Sequence, residues 1–105
     1  MENQVRLQPQ AIEHIKSAFK EIFLEGDKLW IFGSRADLTA RGGDIDLYIE
    51  TQTEDFDTVY SMKRKFWTTL QRLLGEQKID IIILRKNTKP MLIHEVAQST
   101  GVRLL

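Results

Sequence analysis

No cysteine occurs among the 105 residues, which excludes disulfides and thiolate metal sites and fits a reducing compartment. There is no surplus of charge of either sign: 15 Lys and Arg stand against 15 Asp and Glu. A general nucleic-acid binder carries a clear basic excess, so that class is not expected. No apolar run approaches the length of a membrane span, and residues 1–10 lack the apolar centre of a secretory leader. A soluble, cytoplasmic protein with no membrane partner is the expectation. Histidine is scarce. His14 and His94 have no companion at metal-ligand spacing, and both are expected in structural or surface roles. Repeats, low-complexity tracts and linkers are also missing, which with the length argues for one domain over residues 1–105. Such a chain buries roughly two thirds of its unfolded surface. That leaves no room for a deep enclosed pocket, so a substrate is expected on an open face or in a site completed by a partner.

What is present reads as alternating helices and strands. Ile12, Ile15, Phe19, Ile22 and Phe23 recur at helical spacing. They predict a first helix through residues 13–23, with Pro9 in its opening turn and Gly26 closing the segment. Residues 28–32, Lys-Leu-Trp-Ile-Phe, predict a strand covered on both faces, stopped by Gly33-Ser34. A polar loop follows from Asp37 to Gly43. From Asp44 to Glu50 the chain alternates: Asp44, Asp46, Tyr48 and Glu50 face one way, and Ile45, Leu47 and Ile49 the other. This predicts a half-buried strand with carboxylates on its open face, paired antiparallel with the strand before it. A long helix is predicted from Phe56 to Leu74 with Gly75 after it, then a buried strand over 79–84, a short helix over 91–99 and an edge strand over 102–105.

Three features carry chemistry together: Gly33-Ser34 at the end of a strand, Asp44-Ile45-Asp46 opening the next, and Asp80 between Ile79 and Ile81. Period-2 geometry sets Asp44 and Asp46 on one face, roughly 6–7 Å apart, and Asp80 can join them from a neighbouring strand. At about 4 Å and an effective dielectric near 20, each carboxylate pair costs roughly 4 kcal/mol. Such a cluster calls for a cation, and hard oxygen ligands favour Mg²⁺ or Mn²⁺. Two such ions can activate an attacking oxygen and stabilise a leaving pyrophosphate. A glycine after a strand lets backbone approach a phosphate, and the following N–H groups and the Ser34 hydroxyl can bind its oxygens. Arg35 and Arg41 are further candidates for phosphate contact. A charge flanked by two isoleucines must be paired, neutral or metal-bound, and with the other motif present Asp80 is assigned to the metal.

Gly33-Ser34-Arg35-Ala36, a loop, and Asp44-Ile45-Asp46-Leu47 resemble the signature of the minimal nucleotidyltransferases in the DNA polymerase beta-like superfamily, and Asp80 matches its third carboxylate. The resemblance spans about residues 28–84. It implies an α/β (α+β) fold, a mixed sheet with helices packed on it, with ATP or another nucleoside triphosphate as donor and transfer of a nucleotidyl group. It further implies metal binding and catalysis at Asp44, Asp46 and Asp80, and nucleotide binding at Gly33, Ser34, Arg35 and Arg41. Small members are often paired with a helical HEPN-type toxin, which they neutralise by moving AMP onto a tyrosine. Asp37-Leu38 stands where the family usually has a second glycine, and Gly43 where it usually has serine. These departures motivate an alternative, a binding module that neutralises its partner by contact alone.

The remaining features have plainer readings. Phe66 and Trp67 follow helical spacing and are expected in the core, with a partner-binding face as the other possibility. Lys63-Arg64-Lys65 is expected as a solvated helix surface, its functional alternative being a docking patch for an acidic partner. Tyr48 continues the open face of the carboxylate strand, as a surface aromatic or a stacking partner for a nucleotide.

Overall fold

The structure is a computed structural model that describes residues 5–36 and 43–105. Helix α1, Pro9–Ile22, begins with Pro9 in its first turn, where a missing N–H costs nothing, and stops at Phe23, whose own N–H returns to the Phe19 carbonyl at 2.8 Å. Strand β1, Lys28–Phe32, runs into a single 3-10 turn, Gly33–Ala36. Strand β2 covers Ile45–Glu50. Helix α2, Phe56–Leu74, is capped by Asp55, which accepts hydrogen bonds from the Thr58 backbone N–H and hydroxyl at 2.8 and 2.7 Å. Those bonds hold the Asp55 carboxyl below the usual carboxylate range. Gly75 ends this helix with φ +83°, a backbone conformation that favours glycine. Strand β3, Ile79–Leu84, helix α3, Leu92–Thr100, and the two-residue strand β4, Val102–Arg103, complete the chain.

The strands form one mixed sheet in the order β3-β2-β1-β4. β1 and β2 pair antiparallel, as their closeness in sequence predicts. β3 lies parallel to β2 because α2 carries the chain back to the starting end of the sheet. β4 adds to the other edge, antiparallel to β1, and is shorter than the expected 102–105. This is the expected α+β arrangement, a mixed sheet with helices packed on it.

The two faces of the sheet differ. Leu29 and Ile31, then Ile45, Leu47 and Ile49, then Ile79 and Ile81, point to one face and pack under α1 and α2 with Ile15, Phe19, Phe66 and Leu70. Phe19, Phe23 and Phe66 bring three rings together there, at 4.8 to 6.0 Å between centroids. The opposite face holds a smaller cluster, Trp30, Tyr48 and Ala97, where α3 covers the sheet. Tyr48 is therefore not a surface aromatic. It is 1% exposed, with its ring 5.2 Å from Trp30 and its hydroxyl donating to Glu50 Oε2 at 2.8 Å. Burial, together with that bond to an anion, pushes the phenol well above its ordinary range. Trp67 also departs from expectation. Phe66 is fully buried, but Trp67 is 45% exposed, because the next position on a helix is turned about 100° away from the core-facing one. Among the described residues no helix is long and apolar enough to cross a membrane.

Candidate active site

On the α3 face, strand register sets side chains in cross-strand rows. Phe32 pairs with Asp46, and Asp46 pairs with Asp80. The two carboxylates therefore lie side by side on neighbouring parallel strands, whose spacing is about 4.8 Å. The next row, Trp30–Tyr48–Ile82, is apolar and covered by α3. The carboxylate row lies just beyond that cover, at the end of β1 where the chain turns at Gly33.

The turn fits this row closely. Gly33 has φ +73°, and a Cβ placed on it would collide with Asp46 Oδ2. Backbone thus approaches the carboxylate more closely than any side chain would permit. Gly43, at φ +98°, does the same from the other side of the loop: a Cβ there would overlap the Ser34 hydroxyl. That contact gives a physical reason for glycine at a position where the resemblance leads one to expect serine. The Ser34 hydroxyl occupies the space immediately before Asp44.

Electrostatics isolates Asp46. Its carboxyl is pushed above the usual carboxylate range, first by partial burial, then by the negative charge of Asp80 and of Asp44, with a side-chain hydrogen bond to Asp80 acting in the same direction; Lys78 opposes the shift. Asp44 Oδ2 lies 3.7 Å from Lys78 Nζ, the one ion pair among the described residues. The sequence places Asp80 in a buried strand, but β3 is the sheet edge and Asp80 is exposed. Its burial therefore does not force a partner on it; its place beside Asp46 is what singles it out. Arg41 lies outside the described residues.

Two groups escaped the sequence reading. Arg6 donates to the Ser34 carbonyl from Nη2 at 2.8 Å and from Nε at 3.3 Å, and its backbone N–H bonds the Arg35 carbonyl at 2.8 Å. Arg35 answers by donating from Nη1 to the Arg6 carbonyl at 2.9 Å. The segment before α1 is thus clamped onto the glycine–serine turn, and Arg35 spends one donor on that clamp. No sequence signal marks a contact across 28 residues. Lys78, the counter-charge to Asp44, is equally anonymous in the sequence. His94 is structural, as expected: its Nδ1 accepts the Met91 backbone N–H at 2.9 Å at the start of α3.

The fold family implies a divalent cation, and the carboxylates suit one in kind. Asp46 and Asp80 are hard oxygen donors in one row. Among the described residues no group of three His, Cys, Asp or Glu side chains stands ready to hold a metal, and Asp44 lies instead against Lys78.

Paired carboxylates beside a backbone turn with no room for a side chain are an arrangement that suits a divalent cation and a phosphate group. Comparison with known families agrees: the model described as "Polymerase beta, Nucleotidyltransferase" matches residues 13–104. The chain belongs to that nucleotidyltransferase family. A search of curated proteins gives no match.

Proposed function

We propose that the protein transfers AMP, or another nucleoside monophosphate, from a nucleoside triphosphate to a hydroxyl on a partner protein, as the antitoxin of a HEPN/minimal-nucleotidyltransferase pair. The observation that carries the transfer reading is the row Phe32–Asp46–Asp80 with Gly33 pressed against Asp46. The partner reading rests on the resemblance of 33–36 and 44–47 to the minimal nucleotidyltransferases and on the open groove that Asp46 and Asp80 line.

Gly33 and Ser34 hold the triphosphate, and the Arg6 clamp fixes the turn that presents them. Asp46 and Asp80, joined by Asp44 once it leaves Lys78, are the residues that would hold Mg²⁺ or Mn²⁺. When bound, such an ion neutralises the carboxylates and the developing charge on the phosphates. The acceptor oxygen attacks the α-phosphorus, the bond from that phosphorus to the β-phosphate oxygen breaks, and pyrophosphate leaves. Asp80, the more exposed of the paired carboxylates, takes the hydroxyl proton.

The test is label transfer. Purified protein, a small helical HEPN protein encoded beside it, Mg²⁺ and α-labelled ATP should yield a covalent AMP adduct on the partner. Asp46→Asn should abolish it, and unchanged labelling would refute the assignment. The tie of Asp44 to Lys78 favours one second reading, neutralisation by contact alone. In that case the Asp44→Ala, Asp46→Ala double variant, folded and bound, would still neutralise the partner.

A further inference from the structure

Among the described residues β3 is a sheet edge, with no strand beyond it to meet its outer backbone groups. Along that edge runs an open groove of about 840 Å³ whose lining includes both Asp46 and Asp80. α2 contributes Tyr60, Lys63, Arg64 and Trp67 to it, and α3 contributes Ile93. The aromatic groups are far from buried: Tyr60 is 53% and Trp67 45% exposed. The apolar surface continues along α3 from Ile93 through the exposed Leu92 and Val96. At the other end Phe56, itself exposed, stacks on Tyr60 at 6.2 Å with the Arg85 guanidinium 5.4 Å from its ring. Solvated patches of this kind mark interaction surfaces.

We propose that this groove docks an acidic, apolar-bearing segment of the partner protein and so delivers the acceptor hydroxyl to Asp46 and Asp80. The inference rests on the transfer reading above and adds the place and chemistry of the acceptor. Charge selects the occupant. Lys63 and Arg64 line the groove with no ion-pair partner among the described residues, and Lys65 follows them in the chain. Trp67 and Tyr60 are the residue types that anchor protein interfaces. A strand laid along β3 would also satisfy the open edge, a common mode of peptide capture.

A second copy of the chain fits less well. A two-fold contact sets the patch against itself, placing Lys63 and Arg64 near their own symmetry mates. Nucleic acid fits less well too, since it needs a long track of cations, and the chain has no basic excess, 15 Lys and Arg against 15 Asp and Glu.

The probes are three fluorescein-labelled peptides, each with one tyrosine between leucines, rich in glutamate, rich in lysine, or neutral. Anisotropy titrations with Mg²⁺ and a non-hydrolysable ATP analogue are expected to show the glutamate peptide binding about tenfold tighter than the lysine peptide. Trp67→Ala should weaken it about tenfold. The charge-reversed double variant Lys63→Glu, Arg64→Glu should invert the preference, a result that mere loss of folding cannot produce. Equal affinity for the three peptides, no binding by any of them, or an uninverted preference overturns the proposal. So does a dimer, measured by light scattering, that Trp67→Ala disperses. Failure of the transfer reading shows separately, as no ATP-dependent rise in melting temperature of the unaltered protein.

Discussion

Asp27 and Asp46 stand at opposite ends of β1, and the fold treats them in opposite ways. Asp27 is 6% exposed, and its carboxylate accepts from the Thr51 hydroxyl at 2.7 Å, the Gln52 N–H at 2.9 Å and the Leu24 N–H at 3.1 Å. Every donor comes from the loops flanking β1 and β2, so the charge is met and the ends of both strands are pinned. Asp46 sits among Asp80 and Asp44, with Lys78 as the one cation acting on it. A carboxylate that serves structure is surrounded by donors. One that is left among like charges lowers the stability of the resting fold, and such an arrangement marks a place where a ligand completes the electrostatics.

The comparison can be broken first at its structural end. Asp27→Ala strands three donors in a buried loop junction and should cost about 3 kcal/mol in urea unfolding, while the ATP-dependent rise in melting temperature persists in whatever fraction folds. A loss below about 1 kcal/mol would mean that the junction is not the keystone its hydrogen bonds suggest.

An intermediate effect is expected at Gly33. Gly33→Ala forces a Cβ into a positive-φ position and against Asp46 Oδ2. It should destabilise by about 1–2 kcal/mol and, unlike the change at Asp27, should also remove the nucleotide-dependent shift.

The smallest effect has the opposite sign. Asp46→Asn removes one anion from the cluster and should raise the stability of the metal-free protein by up to about 0.5 kcal/mol, screening by solvent keeping the gain small. The pH dependence follows from the raised pKa. Because the folded state binds the Asp46 proton more tightly than the unfolded state, the Asp46 contribution to stability is greatest at low pH. It declines as pH rises from the ordinary carboxylate range through the folded pKa. Melting curves across pH 3–7 check this: the advantage of Asp46→Asn over the unaltered protein should grow as pH rises, and Mg²⁺ should restore the lost stability in the unaltered protein alone.

Much of the fold was legible because it is local. Alternation over 44–50 assigns β2 and its two faces, and Gly33 and Gly75 stop a strand and a helix where their φ values demand glycine. The third carboxylate was legible as a residue, but its relation to Asp46 was not: adjacency required a parallel crossover in the right register. Burial was the weakest inference. Alternation says which face Tyr48 takes, not that α3 will cover it, and a lone Asp between isoleucines looks buried until its strand proves to be the edge. Trp67 failed for a related reason, since a helix wider than its apolar stripe leaves the flanking aromatic outside. Asp27 and Arg6 carried no pattern, because their hydrogen bonds with Thr51, Gln52, Ser34 and Arg35 span 24 to 29 residues, Leu24 near Asp27 being the exception.

By itself the order of residues determined the elements, the identity of the carboxylates and the glycine beside them, because backbone propensity and side-chain period act over a few neighbours. Only the tertiary structure decided that Asp80 stands beside Asp46, that Asp44 leans on Lys78, that Arg6 locks the turn, and that an aromatic, basic groove opens beside the pair. Those are facts of strand order and packing, which arise from contacts distant in the chain and leave no local trace.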